Sequence, residues 1–284
     1  MILVVGATGS LGRKITTELL TRGEEVRVLV RPGTSAAPVA GASVATGDLL
    51  DRESLDAACG GVRAVVTTAS VSKTGTDSIE NVDLLGNQNL IAAAEHAGVE
   101  HFVFTSTLSA SDQSPVPLFR VKAAVERTLR ASRMAHTILQ PNAFMDVWFP
   151  MLIEPAASSG QPVTLVGQSS RRHAFIAEQD VAMFAAAALV TPAARDSTLV
   201  LGGPEAVTLR AVVNAYEGAL GRSIPIRSVP PGEPIPGVPE PVWALAAALE
   251  TFDSPVPMDE TSRTYRVHLT SVADFARARM APSN

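Results

Sequence analysis

The chain has 284 residues, of which 46% are hydrophobic and 18% charged, and its net charge is −5. This length allows either one large α/β unit or a core domain with a smaller appendage, and the negative charge argues against a nucleic-acid partner. Cys59 is the only cysteine, so an internal disulfide and a C-x-x-C metal site are both excluded. No stretch has the length of a membrane span, and an apolar strand begins at residue 1. We therefore expect a cytoplasmic protein with no signal peptide, no membrane contact and no bound metal.

The N-terminal residues predict a strand, a glycine turn and a helix. Residues 1–5 are apolar, the run Gly6-Ala7-Thr8-Gly9-Ser10-Leu11-Gly12 follows directly, and apolar residues then recur at helical spacing. In a dinucleotide-binding turn, the first glycine permits the bend, the second admits the pyrophosphate, and the third lets helix and strand pack closely. The expected cofactor contacts are Gly6, Thr8, Gly9, Ser10, Leu11 and Gly12. Close helix packing alone is the alternative reason for these glycines.

Strands and helices alternate over the first half of the chain. Further strands are predicted at 26–30, 43–46, 64–67, 101–105 and 136–139, and helices after Asp51, over 79–97 and over 118–132. Asp51 is placed to cap the first of these helices, and Gly98 to end the second. Such alternation predicts right-handed crossovers and a doubly wound parallel sheet of the Rossmann type, which we assign to residues 1–143.

The pattern loosens after residue 143. Strands are predicted at 163–166 and 198–201, and helices at 180–190, 209–220 and 242–249. Residues 144–284 are therefore predicted to form a smaller C-terminal α/β substrate-binding part that could also contribute to the core sheet. Eight prolines in 228–258, which enclose the predicted helix 242–249, argue against a regular sheet there, and we interpret this segment as an adjustable cover over the substrate. A plain surface connection is the alternative.

Residues that directly follow strands are the candidates for cofactor contacts, because such sheets bind ligands outside the carboxyl ends of their strands. Arg31 ends the second strand, where an acidic residue would instead bind the ribose hydroxyls of NADH. Its guanidinium suits the 2′-phosphate of NADPH, with Thr34 and Ser35 as possible further donors. The sequence thus predicts NADPH over NADH. A solvated arginine at a turn is the alternative.

Two further strand ends carry candidate cofactor residues. Asp48 and Leu49 follow the third strand, where the carboxylate could accept the adenine amino group and the leucine could cover the ring. Helix capping is the alternative for Asp48. Small residues follow the fourth strand and allow close approach of the ribose and phosphates: Thr68, Ala69 and Ser70. Asn87, within the next helix, either braces that loop or is simply exposed.

Several segments together carry a family resemblance. They are Gly6-Ala7-Thr8-Gly9-x-x-Gly12, Arg31-Pro32, Gly47-Asp48, Gly86-Asn87-Gln88-Asn89-Leu90, Gln140-Pro141-Asn142-Ala143-Phe144, Phe175-Ile176-Ala177-Glu178-Gln179-Asp180-Val181-Ala182 and Leu201-Gly202-Gly203-Pro204-Glu205. In these segments the chain resembles the atypical short-chain dehydrogenases/reductases of the NmrA-like and isoflavone-reductase-like branch. The resemblance spans nearly the whole chain, although only the first half is strongly patterned.

The wider superfamily protonates its substrate with the tyrosine of a Tyr-x-x-x-Lys pair, and this chain lacks that tyrosine. Lys122 has the fitting place, but Leu118 stands four residues before it, and the only tyrosines, Tyr216 and Tyr265, lie far along the chain. The resemblance implies that Lys122 lies near the nicotinamide ribose and acts in catalysis. The alternative is a surface ion pair between Lys122 and Glu126.

Thr107 holds the place of the superfamily's catalytic hydroxyl, and Ser106 is its neighbour if the register slips by one. Ordinary loop hydroxyls are the alternative. After the sixth strand, Pro141, Asn142, Ala143 and Phe144 are expected to pass the nicotinamide ring, with backbone groups holding its carboxamide.

Aromatic residues are concentrated after the sixth strand in a chain with only 5% aromatic residues. We expect Phe144, Met145, Trp148, Phe149 and Trp243 to line a pocket for a flat hydrophobic substrate. Core packing is the alternative for these side chains. His173, beside two arginines, is either a proton donor or, as we favour, part of an exposed basic loop.

Together these expectations predict an NADPH-dependent reductase, either a ketoreductase or a quinone reductase. It would transfer hydride to a ketone, quinone or similar electron-poor group of an aromatic or polyketide-like small molecule. The proton would come from water, Lys122 or the substrate's own phenol. The alternative is an NmrA-like redox sensor that binds NADP and regulates a partner without turnover. A nucleotide-sugar epimerase would need the absent tyrosine. Monomer and dimer both stay open.

Overall fold

Two compact units make up the chain. The computed structural model describes residues 1–34, 39–71 and 77–281. Unit 1 comprises Met1–Pro141, Glu178–Val200 and Tyr265–Val267; unit 2 comprises Asn142–Ala177, Leu201–Thr264 and the residues from His268 onward. The predicted boundary after residue 143 lies close to the first change of unit. For the residues after 143, the sequence predicted only a possible contribution to the core sheet. In the structure, Glu178–Val200 and Tyr265–Val267 belong to unit 1.

A seven-stranded sheet has the order β3-β2-β1-β4-β5-β6-β8. Its strands are β1 (Ile2–Val5), β2 (Val26–Val30), β3 (Ser43–Thr46), β4 (Ala64–Thr67), β5 (His101–Thr105), β6 (Ala135–Pro141) and β8 (Ser197–Leu201). β1 pairs in parallel with β2 on one side and with β4 on the other, so that Val4 lies between Val28 and Val66. The strand order reverses beside β1, as expected for two-way winding. The predicted doubly wound parallel sheet is confirmed.

Helices of unit 1 follow the predicted alternation. They are α1 (Ser10–Thr21), α2 (Arg52–Cys59), α3 (Asn87–His96), α4 (Pro117–Arg130) and α7 (Glu178–Ala188). The Asp51 carboxylate accepts hydrogen bonds from the backbone N–H groups of Glu53 and Ser54, so the predicted cap of α2 is confirmed. Gly98 follows the end of α3 with a φ of +73°, which a glycine adopts without strain.

The helix predicted over residues 79–97 has two parts. Glu80–Gly86 form a π-helix, and α3 continues from Asn87. A π-helix carries an extra residue within its turn, and apolar spacing alone does not separate this geometry from an α-helix. This local change matters for the site described below, because Asp83 lies within it.

Unit 2 contains a small parallel sheet and several helices. The sheet pairs β7 (Val163–Val166) with β9 (Ile226–Val229). The helices are α5 (Met145–Leu152), α6 (Glu154–Ser159), α8 (Leu209–Leu220), α9 (Glu240–Leu249), α10 (Asp259–Tyr265) and α11 (Val272–Met280). The sequence predicted α8, α9 and β7 but missed the other elements. Pro150 lies inside α5 and Pro155 in the first turn of α6, so both read as helix breakers in sequence.

The proline-rich segment 228–258 begins with the last two residues of β9 and continues as turns and irregular chain around α9, and hydrogen bonds attach it near both ends within unit 2. Gly167 N donates to Val229 O at 2.8 Å, and Ala174 N donates to Ser254 O at 3.1 Å. Part of α9 packs against the apolar core of this unit. The segment is thus tied at Val229 and Ser254. Between them, Leu249 O and Glu250 Oε2 also accept hydrogen bonds from His173 Nε2 and Ser169 N.

Candidate functional site

The turn between β1 and α1 accepts only glycine at two positions. Gly6 has a φ of +81°, and a Cβ on it would lie 2.6 Å from Thr68 Oγ1. A Cβ on Gly12 would lie 2.2 Å from Gly6 O. Helix α1 begins with no side-chain cap and no acidic residue in its first turn. Its first N–H groups and positive dipole end therefore suit a phosphate, which is the fit expected for a dinucleotide.

Charged side chains surround this turn in an arrangement that the sequence did not reveal. Arg13 Nε donates to Thr8 O at 3.3 Å, which places a guanidinium beside the turn. Ser10 Oγ donates to the carboxylate of Glu178, the first residue of α7, and Lys14 Nζ lies 2.6 Å from the same carboxylate. The Ser10 hydroxyl proton is therefore engaged in a hydrogen bond to a carboxylate of unit 1. A separation of more than 160 residues gives no local signal for this contact.

Arg31 is more than half exposed and forms an ion pair with Asp77. Its Nη1 lies 2.5 Å from Asp77 Oδ2. No acidic residue directly follows β2 in the sequence, whereas Asp77 comes from the chain after β4. Binding of a 2′-phosphate by Arg31 would have to compete with Asp77. Thr34 is exposed, and Ser35 lies outside the described residues.

Asp48 and Leu49 lie in a tight turn after β3. Asp48 Oδ1 accepts a hydrogen bond from Leu50 N at 2.8 Å, so this carboxylate orders its own turn while Asp51 caps α2. Leu49 is partly buried, and its carbonyl accepts a hydrogen bond from Asn89 Nδ2 at 3.0 Å. The adenine contacts stay predictions.

The loop after β4 is braced by Asn87, and the predicted bracing is confirmed. Asn87 is completely buried; its Oδ1 accepts from Thr67 Oγ1 at 3.1 Å, and its Nδ2 donates to Ala69 O at 3.3 Å. Thr68 is partly buried, Ala69 is buried and Ser70 is exposed. These residues adjoin the glycine turn, since Thr68 N donates to Val5 O at 2.9 Å.

Lys122 is buried, with 7% of its side chain exposed. Its Nζ donates to Thr105 O at 3.4 Å, lies 3.3 Å from Asp83 Oδ1 and stands 5.1 Å from the centre of the Phe104 ring. Burial lowers the pKa of Lys122, and the charge of Asp83 opposes that shift. The alternative of a surface pair with Glu126 is wrong, because the ammonium faces the interior, toward Asp83. The Thr105 hydroxyl, on the last residue of β5, is buried with no hydrogen-bond partner among the described atoms.

Ser106 and Thr107 differ in what their hydroxyls can do. Ser106 is buried and its Oγ donates to the carboxylate of Glu126, which also accepts from Gln140 Nε2 at 2.8 Å and pairs with Arg130 at 2.9 Å. The Ser106 proton is therefore held by a fixed carboxylate. Thr107 is half-buried, and its hydroxyl makes no hydrogen bond within the described residues. Of the two predicted hydroxyls, Thr107 is the one free to bond a ligand.

Pro141, the last residue of β6, and the residues that follow it use most of their polar groups within the protein. Within unit 1, Pro141 O accepts a hydrogen bond from Leu108 N. Within unit 2, Asn142 N donates to Leu201 O and Ala143 O accepts from Ile176 N. The amide of Asn142 donates to Ser254 O at 2.9 Å and accepts from Ala143 N at 2.8 Å. The predicted contact with a nicotinamide carboxamide stays a prediction, and it would have to use the few backbone groups that remain.

His173 is buried, so its assignment to an exposed basic loop is wrong. Its Nδ1 lies 2.7 Å from Ser254 Oγ and its Nε2 lies 3.0 Å from Leu249 O. Since a carbonyl can only accept, Nε2 carries the proton and Nδ1 accepts from the serine. Burial lowers the pKa of His173, which keeps the ring neutral. The contact between His173 and Ser254 has no local signal in the sequence, because the two residues are 81 positions apart.

The predicted pocket residues differ in exposure. Met145 and Phe149 are completely buried in unit 2, where the Phe149 ring packs edge-on against those of Phe175, Tyr216 and Phe275. Phe144, Trp148 and Trp243 are partly exposed. Tyr216 is also fully buried and donates to Glu154 Oε1 at 2.8 Å, and this burial and contact raise its pKa. It is therefore placed as a core residue of unit 2.

The sheet order and the glycine turn define a Rossmann-like α/β fold. The chain belongs to the NmrA-like family, whose model matches residues 1–269. The resemblance inferred from the sequence is thus confirmed. The described helices include none with both the length and the apolar character needed to cross a bilayer.

Three proteins that are similar to this chain differ in their named roles. The photosystem II assembly factor Ycf39 of Synechocystis sp. is 32% identical over 231 residues, which cover 81% of this chain and 70% of that protein. The NAD(P)H azoreductase of Xenophilus azovorans is 31% identical over 231 residues, covering 81% and 76% of the two chains. Triphenylmethane reductase of Citrobacter sp., solved with NADP(H), has a TM-score of 0.82 at 23% identity and covers 99% of this chain and 100% of its own.

Proposed function

We propose that the chain is an NADPH-dependent reductase acting on a ketone, quinone or similar electron-poor group of an aromatic or polyketide-like small molecule. The observation that carries the proposal is the Lys122 ammonium, held in the interior beside the last residue of β5. Burying an ammonium is costly, so a cation kept there is expected where negative charge must be stabilised. Membership of the NmrA-like family supports this reading.

NADPH supplies the hydride when bound. The N–H groups at the start of α1 would hold its phosphates, since Gly6 and Gly12 keep side chains out of the turn. Arg31 would bind the 2′-phosphate in exchange for Asp77. The adenosine would lie by Asp48 and Leu49, and Thr68, Ala69 and Ser70 would lie by the ribose and phosphates.

Lys122 would stabilise negative charge on the substrate oxygen or hold the nicotinamide ribose. Thr107 would bond the substrate oxygen, since the Ser106 proton is held by Glu126. The proton delivered to the oxygen would come from Lys122, water or a phenol of the substrate. The names of the azoreductase relative and the triphenylmethane reductase neighbour support aromatic substrates, and stacking of Phe144, Trp148 and Trp243 on such a substrate stays a prediction from the sequence.

Turnover of a substrate panel tests the proposal. NADPH oxidation would be followed by absorbance with quinones, aromatic ketones, azo dyes and triphenylmethane dyes. Lys122→Met, which keeps an unbranched side chain of nearly the same length without the charge, should lower kcat at least about 100-fold on an accepted substrate while NADPH affinity changes little. Arg120→Met, on the exposed side of the same helix, is the matched control and should leave kcat unchanged. A loss confined to NADPH affinity would instead make Lys122 a ribose-binding residue, and an unchanged kcat together with an unchanged NADPH affinity would refute both roles of Lys122.

The second candidate is a regulator or assembly factor that binds NADP without turnover. It is favoured by the similarity to photosystem II assembly factor Ycf39 and by the engagement of the Ser106 and Lys122 side chains with carboxylates. Tight NADPH binding without oxidation by any member of the panel would support this candidate. Under either function, a cytoplasmic location stays a prediction from the sequence.

A further inference from the structure

Asp83 is a completely buried carboxylate that the proposed function does not yet use. Its Oδ2 accepts a hydrogen bond from Val71 N at 2.9 Å, and its Oδ1 faces Lys122 Nζ at 3.3 Å. A carboxylate in the interior is costly unless it is paired and hydrogen-bonded. Each oxygen of Asp83 thus meets a different part of unit 1: the loop after β4 and helix α4.

The π-helix Glu80–Gly86 brings Asp83 to this position. Its geometry is less favourable than that of an α-helix and is often found at functional sites. The Asn87 amide supports it, because Nδ2 donates to Asp83 O at 3.1 Å and to Ala69 O at 3.3 Å. The same side chain therefore fixes both the π-helix and the loop predicted to meet the cofactor.

Few charged groups surround Lys122. Strand β5 contributes the Thr105 carbonyl and the Phe104 ring, both of which attract an ammonium without carrying a formal charge. Helix α4 carries Glu126 one turn away, but that carboxylate is bound to Arg130, Ser106 and Gln140. Asp83 is therefore the carboxylate that faces Lys122 directly.

We propose that Asp83 is the positioning residue for Lys122, holding the ammonium charged and in place at the carboxyl end of β5. The proposal rests on the proposed function, because it gives Asp83 a role through Lys122. Without the carboxylate, burial would act on Lys122 unopposed and would favour the neutral amine. A neutral amine no longer stabilises a developing negative charge.

The protonation of Lys122 can be measured directly, because the chain has only three lysines: Lys14, Lys73 and Lys122. Lysine labelled with ¹³C at Cε gives three signals, and the one missing in Lys122→Met is assigned to Lys122. Asp83→Asn should lower the pKa of Lys122 by about one to three pH units. The matched control is Glu80→Gln, which removes an exposed carboxylate from the same π-helix and should leave that pKa unchanged. An unchanged pKa in Asp83→Asn, or an equal decrease in Glu80→Gln, would overturn the proposal.

Kinetics and stability supply the second readout. If Lys122 acts in turnover, the alkaline limb of the kcat–pH profile should move to lower pH in Asp83→Asn and return toward the parent in Asp83→Glu. If the parent oxidises NADPH with no member of the substrate panel, the proposed function fails, and the Lys122 pKa still decides the part played by Asp83. Should Asp83→Asn not fold, Asp83→Asn/Lys122→Met should restore folding, since it removes both charges. Failure of the double variant to fold would count against charge pairing as the role of Asp83.

Discussion

Replacing Gly12 with alanine tests the claim that the first turn of α1 excludes any side chain. A Cβ at this position would lie 2.2 Å from Gly6 O and 2.7 Å from Gly6 C, whereas real Cβ atoms essentially never come within 3.0 Å of a heavy atom outside their own and the adjacent residues. The obstacle is backbone, so no side-chain rotation relieves it. The start of α1 would have to move by about 0.8 Å to reach 3.0 Å from the oxygen.

Two opposing terms set the expected size of the effect. Overpacking costs about 1–3 kcal/mol, here toward the upper end because both close atoms belong to the backbone. Alanine gains about 1 kcal/mol over glycine within a helix. We expect Gly12→Ala to lower the free energy of unfolding by about 2 kcal/mol. The displaced N–H groups should also weaken NADPH binding at least about tenfold, equivalent to about 1.4 kcal/mol.

Urea unfolding and a fluorescence titration with NADPH measure the two effects. Gly218→Ala is the matched control, because Gly218 also lies in a helix but a Cβ on it would meet nothing within 4 Å. That variant should be more stable than the parent by about 0.5–1 kcal/mol, with unchanged NADPH affinity. Stability at or above that of the parent for Gly12→Ala would refute the steric reasoning.

Three further predictions concern cofactor choice, pH dependence and movement. Arg31→Asp should invert the preference for NADPH over NADH by at least about 1.5–3 kcal/mol, and equal dissociation constants of the parent for the two cofactors would contradict the role of Arg31. Burial lowers the pKa of His101 to about 4 from 6.5, with a smaller effect of Arg195 in the same direction. The unfolded chain thus takes up the proton first, and stability present above pH 6.5 should fall as the pH drops toward 4; His101→Gln should flatten this slope in urea unfolding. Within 228–258, hydrogen exchange should slow when substrate joins the NADPH complex; full protection without cofactor would make the segment a fixed wall.

Local signals predicted most of unit 1, because its elements follow from apolar runs, caps and glycines. The Asp51 cap and the glycine after α3 each depend on residues a few positions apart, and such patterns are visible in sequence. The elements of unit 2 were harder to predict. In α5, Pro150 lies within a helix that tertiary packing keeps helical against its sequence preference.

Contacts between residues far apart in the chain limited prediction of the site. Lys122 was found through its position after β5, but its partner Asp83 lies 39 residues earlier, within a π-helix that apolar spacing does not reveal. The same holds for Arg31, which meets Asp77 46 residues further on. In both cases the sequence identified the basic residue, whose type and place suggest a function, while the acidic partner is brought to it by the fold.

The division of unit 1 into separate stretches of chain has a consequence for synthesis on the ribosome. Helix α7 packs on α1, and β8 completes the sheet beside β6, yet both come after residue 177. Synthesis proceeds at about 5–20 residues per second, so roughly 3–12 s pass between the synthesis of residue 141 and that of residue 200. The edge of β6 stays unpaired for that time. During that time an apolar helix face and an unpaired strand edge are open to other chains. A nascent chain paused within this interval should depend on chaperones, and a fragment ending near residue 143 should aggregate.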